Sequence, residues 1–527
     1  MSHLLLIVML LGAYTVVVLA IGGIARWRSR EDTEEDYFVA GRTFNLFVLF
    51  FTYEATLFSM WFFMGTGGFW YTHGMGFYCH VLWMTMSGLL LWWLGTRIWL
   101  CGKKWNFVTP ADLLAHRYGS EVYRVIVALV SAGFIFPYIL LQIKGGGLLL
   151  EAASGGVIPF WQGAGLMLLV VVIYTVVGGA RAVAWTDAAQ GFVFLTIIWA
   201  IAIGAAIKIG GGLDNMFVRM QELSAQHLTL PGPAHKFNYA WWFSFWFVQG
   251  IALGNAGVWM RIYSANSPTT LRRTGALIPI AGTLGYLATF LYAYSAITDF
   301  PSLENPDQLL PEMLKAYWPA LMLPMIVGAF AAGMSTSDSQ LLAGSAICTS
   351  DIYKRYIYPT ANQRHLVWVG RAFVLLFTLA AYLVSLAKTP TLLVQLGVIC
   401  YAGTANLAVP LVGAFFWKRA TAKGAIVGTL AGVLVLLFLD PKTNPMFETD
   451  PFSFHPGFIA LVVNAVLFVL ISLGTSHGRQ ERHEEYAELM AESYSQDAEP
   501  GAETEAEQAA AVAQATEGDP EDTEADG

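Results

Sequence analysis

Stretches of 20 or so mostly apolar residues recur along this chain, divided by short polar turns. Each is long enough to cross about 30 Å of hydrocarbon as a helix. A backbone in hydrocarbon must satisfy its own polar groups, and helices do so within one segment. Thirteen spans are expected, near 4–25, 45–70, 77–101, 121–150, 157–180, 186–208, 238–262, 273–298, 318–348, 365–387, 391–417, 422–440 and 456–474. Charged residues make up 13% of the chain, against about 25% in soluble domains. The fold class is therefore an all-α polytopic membrane protein, with the lipid bilayer as a partner. No strand pattern, nucleotide-binding loop or soluble catalytic domain is present in the pattern, and no nucleic-acid partner is expected.

The first run lacks a basic leading segment and a small-residue cleavage site, and Arg26, Arg28 and Arg30 follow it. It reads as a span with the N-terminus outside and the arginines in the cytoplasm. An odd number of spans then leaves the C-terminus cytoplasmic. Of the 29 lysines and arginines, 22 fall on segments this topology puts inside, among them Arg97, Lys103, Lys104, Arg181 and Lys354, and six fall outside. That bias suits a multi-pass protein of the inner or plasma membrane. The net charge of −8 has a local source, because residues 475–527 hold 16 acidic residues against two arginines. Such a tail buries too little apolar surface to fold, so 1–474 is expected to be the transmembrane domain and 475–527 a disordered cytoplasmic tail. The four cysteines show no ligand spacing, which indicates neither a metal site nor a disulfide framework.

The polar residues inside the spans point to function. Ala331-Ala332-Gly333-Met334-Ser335-Thr336-Ser337-Asp338-Ser339 sits within one apolar run and is followed by Asp351-Ile352-Tyr353-Lys354. An ionisable group at membrane depth costs roughly 2.5–3.5 kcal/mol on insertion scales. Hydroxyls and a carboxylate within two turns form an oxygen-rich patch suited to a small hard cation. The plainer reading is that Ser335 and Thr336 bond back to their own helix or ease packing. Asp187 opens the sixth span, where a carboxylate is favoured by the helix dipole. Lys144, beside Gln142 and before Gly145-Gly146-Gly147, either snorkels or faces a cavity. There it could pair with Glu54 or Asp338, or bind a solute carboxylate. No metal, nucleophile or cofactor constellation points to an enzyme.

Several segments resemble the sodium/solute symporter family, which includes proline, pantothenate and sodium/glucose symporters. They are Tyr37-Phe38-Val39-Ala40-Gly41-Arg42, Thr109-Pro110-Ala111-Asp112 with Arg117-Tyr118-Gly119, Gly178-Gly179-Ala180-Arg181 running to Gln190, the Met334-Ser335-Thr336 stretch with Asp351, and Pro410, Gly413 and Trp417-Lys418-Arg419 with Gly424. The order and spacing match over residues 1 to about 474. The resemblance implies a leucine-transporter-type fold, with inverted five-helix repeats over about 45–208 and 238–417. It implies sodium as a co-transported ion held by the Ser335 and Thr336 hydroxyls and the carbonyls of Ala332, Ala55 and Phe58. Asp187, Asp338 and Ser339 would form a second cation site, although Asp338 replaces an expected hydroxyl.

By the same resemblance, Leu57 stands where a gating Asn or Asp is expected. Trp61 and Phe62 stand where sugar-contacting groups would be, and Val248 precedes Gln249. These losses argue against a sugar and for a small amino acid or carboxylate, with Glu54, Trp61, Phe62, Gln142, Lys144 and Gln249 as solute contacts. The expected activity is sodium-coupled import by alternating access. The alternatives are proton coupling, or a membrane sensor of the same fold.

Overall fold

The apolar runs fold as helices. The computed structural model describes residues 3–27, 33–233, 238–251, 254–387, 393–441, 453–475 and 480–498. Among the described residues, the one β-type pairing is an isolated bridge between Phe44 and Ala265. The elements that position the site are α1 (Leu46–Leu57), α2 (Thr66–His73), α3 (Glu121–Ala153), α4 (Phe160–Lys208), α5 (Tyr239–Gly250), α6 (Ala256–Ser264), α7 (Pro268–Ile297), α8 (Met322–Ala346) and α9 (Gln480–Ala498).

Ten helical stretches among the described residues are long and apolar enough to cross a membrane, against the thirteen spans expected. Two physical effects cause the difference. One is fusion: α4 runs for 49 residues, about 73 Å at 1.5 Å per residue, and covers the expected spans 157–180 and 186–208. It turns at Gly179, with φ 56° and ψ −151°. A Cβ there would lie 2.5 Å from the Tyr37 carbonyl oxygen, so glycine is required.

The other effect is interruption. Asn45 caps α1 by accepting from Val48 N at 3.0 Å, but the helix stops at Phe58, whose φ −82° and ψ 100° are extended. It resumes as a π-turn over Trp61–Gly65 leading into α2. The amides exposed by the break find side chains: Met60 N donates to Gln142 Oε1 at 2.8 Å and Trp61 N to Ser59 Oγ at 3.1 Å. Gln142 Nε2 donates to Tyr138 O at 3.1 Å, which fixes the amide. The expected span 238–262 is likewise split into α5 and α6, and Asn255 caps α6 by accepting from Gly257 N at 2.9 Å.

Beside the first break, α3 shows a bare backbone. A Cβ on Gly145 would lie 2.1 Å from Met60 Cγ, and one on Gly146 would lie 2.5 Å from Met167 Sδ. At one end of the bundle the charged motif residues tie the chain together. Arg124 meets Asp112 at 2.7 Å and Asp351 at 3.0 Å, Arg181 meets Asp36 at 2.6 Å, and Lys354 meets Glu34 at 2.5 Å. Thr109 and Asp112 form a capping box on the helix Pro110–Tyr118.

The expectation of a disordered tail from residue 475 fails over α9. Tyr486 is 1% exposed. Its ring stacks on Trp105 at 4.9 Å, and its hydroxyl lies 3.2 Å from His116 Nδ1 and 3.3 Å from Leu113 O. Arg482 donates to the His116 carbonyl, and Lys418 meets Glu484 at 2.8 Å. The cause is an apolar stripe within the acidic sequence: Tyr486, Leu489 and Met490 pack on the core at helical spacing. The remainder of the tail, 499–527, lies outside the described residues.

Candidate functional site

α8 is buried from Met325 to Ala346, so its hydroxyls must find partners within the protein. Ser335 Oγ lies 3.1 Å from the Ala55 carbonyl oxygen and 3.2 Å from that of Ala332. Thr336 Oγ1 lies 3.3 Å and 3.2 Å from the same two oxygens. Bonding to Ala332 is the usual habit of a helical hydroxyl. The convergence of both hydroxyls on Ala55 is not, because it crosses to the last turn of α1, where the helix is about to break. Four oxygens from two helices thus face one another, an all-oxygen donor set of the kind a hard cation takes. Phe58 lies about one turn beyond Ala55, at the interruption itself.

The second expected group also assembles. Asp187, Asp338 and Ser339 are all fully buried. Thr52 Oγ1 donates to Asp187 Oδ2 at 2.5 Å, Tyr174 OH donates to Asp338 Oδ2 at 2.6 Å, and Ser339 Oγ donates to Asp338 Oδ1 at 3.1 Å. Asp187 is not an exposed helix-end carboxylate: it follows the Gly179 turn of α4 and is fully buried. A residue the sequence reading left aside completes the cluster. Arg261 on α6 is 4% exposed; its guanidinium lies 3.1 Å from Asp187 Oδ2 and donates to Ser339 Oγ. It stands at the end of the expected span 238–262, with no motif around it to mark a site. The signal available was an arginine within reach of two carboxylates once the span is broken.

A small aromatic pocket lies beyond the α1 break. Trp61, Trp83, Tyr138, Tyr286 and Tyr401 supply aromatic walls, and His80 and Gln249 supply polar ones. Among the described residues, both ring nitrogens of His80 and the Gln249 Nε2 have no hydrogen-bond partner. The His80 ring is held flat between Phe77 at 5.2 Å and Phe245 at 4.9 Å. Of the expected solute contacts, Trp61 and Gln249 are on this wall. Phe62 instead packs on Phe58 at 4.2 Å and on Tyr286 at 5.4 Å. Gln142 serves the helix break. Lys144, 9% exposed on α3, and Glu54, 1% exposed on α1, are buried away from the wall. His80 and the three tyrosines were missed because they come from four separate segments with no motif linking them.

A model of the sodium:solute symporter family matches residues 37–432. The sodium/proline symporter of Escherichia coli (strain K12) is 28% identical over 493 residues, covering 90% of this chain and 94% of the relative. The sodium/pantothenate symporter of the same organism is 28% identical over 478 residues, covering 88% and 95%. Among solved structures, the substrate-bound outward-open state of a Na+-coupled sialic acid symporter matches with a TM-score of 0.75 at 19% identity, over 90% of this chain and 99% of that one. At that identity the likeness is one of fold.

Proposed function

Because this chain belongs to the sodium:solute symporter family, whose members are transporters and not enzymes, we propose that it imports a small zwitterionic solute, an amino acid or a close relative, together with sodium. The observation that carries this reading is the cradle of Ala55, Ala332, Ser335 and Thr336 at a helix break. Phe58 would add its freed carbonyl. Broken helices that release backbone oxygens beside a solute cavity suit alternating access.

In this reading the chain makes thirteen crossings: each pair of half-helices counts as one, and α4 counts as two. Residues 45–208 and 238–417 form the inverted repeats within a transmembrane domain of residues 1–474, set in the inner or plasma membrane. The N-terminus lies outside and the charged end of the bundle, with α9, lies in the cytoplasm. Arg261 takes the place foreseen for a second cation beside Asp187, Asp338 and Ser339, leaving the Ser335–Thr336 cradle to sodium. One sodium entering down 100 mV contributes about 2.3 kcal/mol, enough for roughly a 50-fold solute gradient before the sodium gradient is added.

The chamber suggests the solute class. Among the described residues its walls hold no charged side chain, which disfavours a solute with net charge. Aromatic faces attract an ammonium group, while the Gln249 amide and an imidazole N–H of His80 can donate to a carboxylate. Carboxylate recognition therefore passes from Lys144, off the wall, to Gln249 and His80. Uptake into proteoliposomes under a sodium gradient tests the proposal, with amino acids as the first candidates. Accumulation that stops when potassium replaces sodium supports it. Binding without accumulation would support a sensor instead.

A further inference from the structure

The rings around the pocket stand as the sides of a box. Trp61 meets Tyr286 at 76°, Trp83 meets Tyr401 at 55° and Tyr138 meets Tyr401 at 70°, with ring centroids 6.2, 5.7 and 5.5 Å apart. They come from five segments: the π-turn after α1, the helix Trp83–Leu90, α3, α7 and the helix Leu393–Ala405. All five side chains are between 1% and 7% exposed, so water is largely shut out. Leu57 and Val398 add aliphatic carbon to the same wall. Gly397 completes it without filling the space, since a Cβ there would lie 3.3 Å from Trp61 Cδ1 and 3.7 Å from Tyr138 Cε2.

The polar atoms of these rings are turned to one another. Trp83 Nε1 donates to Tyr286 OH at 3.1 Å, and Tyr401 OH lies 3.5 Å from Tyr138 OH, itself 3.4 Å from the Leu57 carbonyl oxygen. What the box offers a cation is therefore the negative faces of its rings. That attraction is strongest where the cation is desolvated. A primary ammonium enters with three N–H donors, and each must replace the water it leaves. A buried donor left without a partner is costly. A trimethylated ammonium carries the same charge with no N–H, and its methyl groups are surface that packs on carbon. The carboxylate of the same solute has Gln249 Nε2 and the His80 imidazole, whose nitrogens lack partners among the described residues.

We propose that the aromatic box selects a zwitterion whose ammonium is fully alkylated, a betaine in the chemical sense, and ranks it above the unmethylated amino acid. The inference rests on the zwitterion reading given above and narrows it to one chemical class. The rings hold the charge, and the absence of N–H groups on the solute decides the preference.

The test uses the full-length protein, purified, with half-saturation read by thermal shift in sodium and again in potassium. The probes are glycine and its N-methyl, N,N-dimethyl and N,N,N-trimethyl derivatives, and the same series built on proline. Affinity in sodium should rise with each methyl group, the fully methylated member binding about tenfold or more tightly than the parent. The carbon isostere 3,3-dimethylbutyrate keeps the shape and the carboxylate of trimethylglycine without the positive charge. It should bind about tenfold or more weakly. Y401L, which removes one ring face, should weaken trimethylglycine by a similar factor and change the isostere little. If Y401L folds poorly, the two ligand comparisons on the wild type still decide. Parent amino acids binding as tightly as the methylated ones, or an isostere as tight as trimethylglycine, would overturn the proposal while leaving the sodium–zwitterion reading intact. No sodium-dependent response to any amino acid, methylated or not, would remove both.

Discussion

Arg261 and Asp187 meet at 3.1 Å where both are buried, and the same guanidinium donates to Ser339, the neighbour of Asp338. One fixed positive charge thus serves two carboxylates carried on different helices, α4 and α8. Removing one partner of a buried pair costs about 3–5 kcal/mol, because the other is left uncompensated. R261A should therefore lower the melting temperature of the purified protein sharply, and D187N added to R261A should recover part of the loss. An R261A protein as stable as the wild type would show that the cluster is not held by this charge.

At the cradle, S335A or T336A removes one of four converging oxygens while the cross-helix packing remains. A hydrogen bond or ligand of this kind is worth about 1.5–3 kcal/mol when a charge is involved. Sodium half-saturation for uptake should rise about tenfold or more in each variant, with membrane insertion unchanged. Unaltered sodium dependence in both would reject the assignment.

In the chamber, the orphaned nitrogens of His80 give opposite expectations for stability and transport. Replacing an unsatisfied buried polar group by an apolar one of similar shape is neutral or stabilising. H80F should leave the solute-free protein as stable as the wild type or more so, yet weaken solute binding about tenfold, with sodium affinity unchanged. Q249L should behave similarly. Retained solute affinity in both would place the solute elsewhere.

The docking of α9 should depend on pH. Burial, aided by the Arg482 and Arg124 guanidinium groups, pushes His116 down to about 4. Its ordinary value is about 6.5, so the folded state resists protonation. That contribution is fully present above about pH 6.5 and is lost as pH falls towards 4. The Lys418 ammonium holds Glu484 below the ordinary carboxylate range, so this pair also loosens only in acid. Amide protection over residues 480–498, taken relative to the intrinsic exchange rate at each pH, should fall between about pH 7 and pH 5. Y486A should speed it at neutral pH, costing about 3–5 kcal/mol as other buried aromatic truncations do. Deleting 499–527 should change neither exchange nor uptake. Equal protection at both pH values would remove His116 from the account.

The sequence made the spans legible because hydropathy is a local property, read 20 residues at a time. It left the first break hidden because that break is stabilised from far away: the amide of Met60 is satisfied by Gln142, 82 positions on. Ser335, Thr336, Ala332 and Ala55 could be grouped by resemblance, and the structure brings them within hydrogen-bond reach. Arg261 escaped because its partners, Asp187 and Ser339, lie 74 and 78 positions away with no motif linking them. Tyr486 escaped because the mean composition of the tail outweighed a three-residue stripe. Gln142 and Lys144 were drawn towards the solute because polarity within a span says that a side chain needs a partner, not which one.

The glycines of α3 have a mechanical consequence. Side chains on packed helices act as teeth that set one register and resist passing to the next. Along Gly145 and Gly146 there are no teeth, and what presses on them is a pair of thioethers, Met60 and Met167, among the most deformable contacts a protein can offer. The joint between α3 and the broken helix is thus a smooth bearing. Load can pass across it while the two halves turn, and a single methyl group added there would act as a brake.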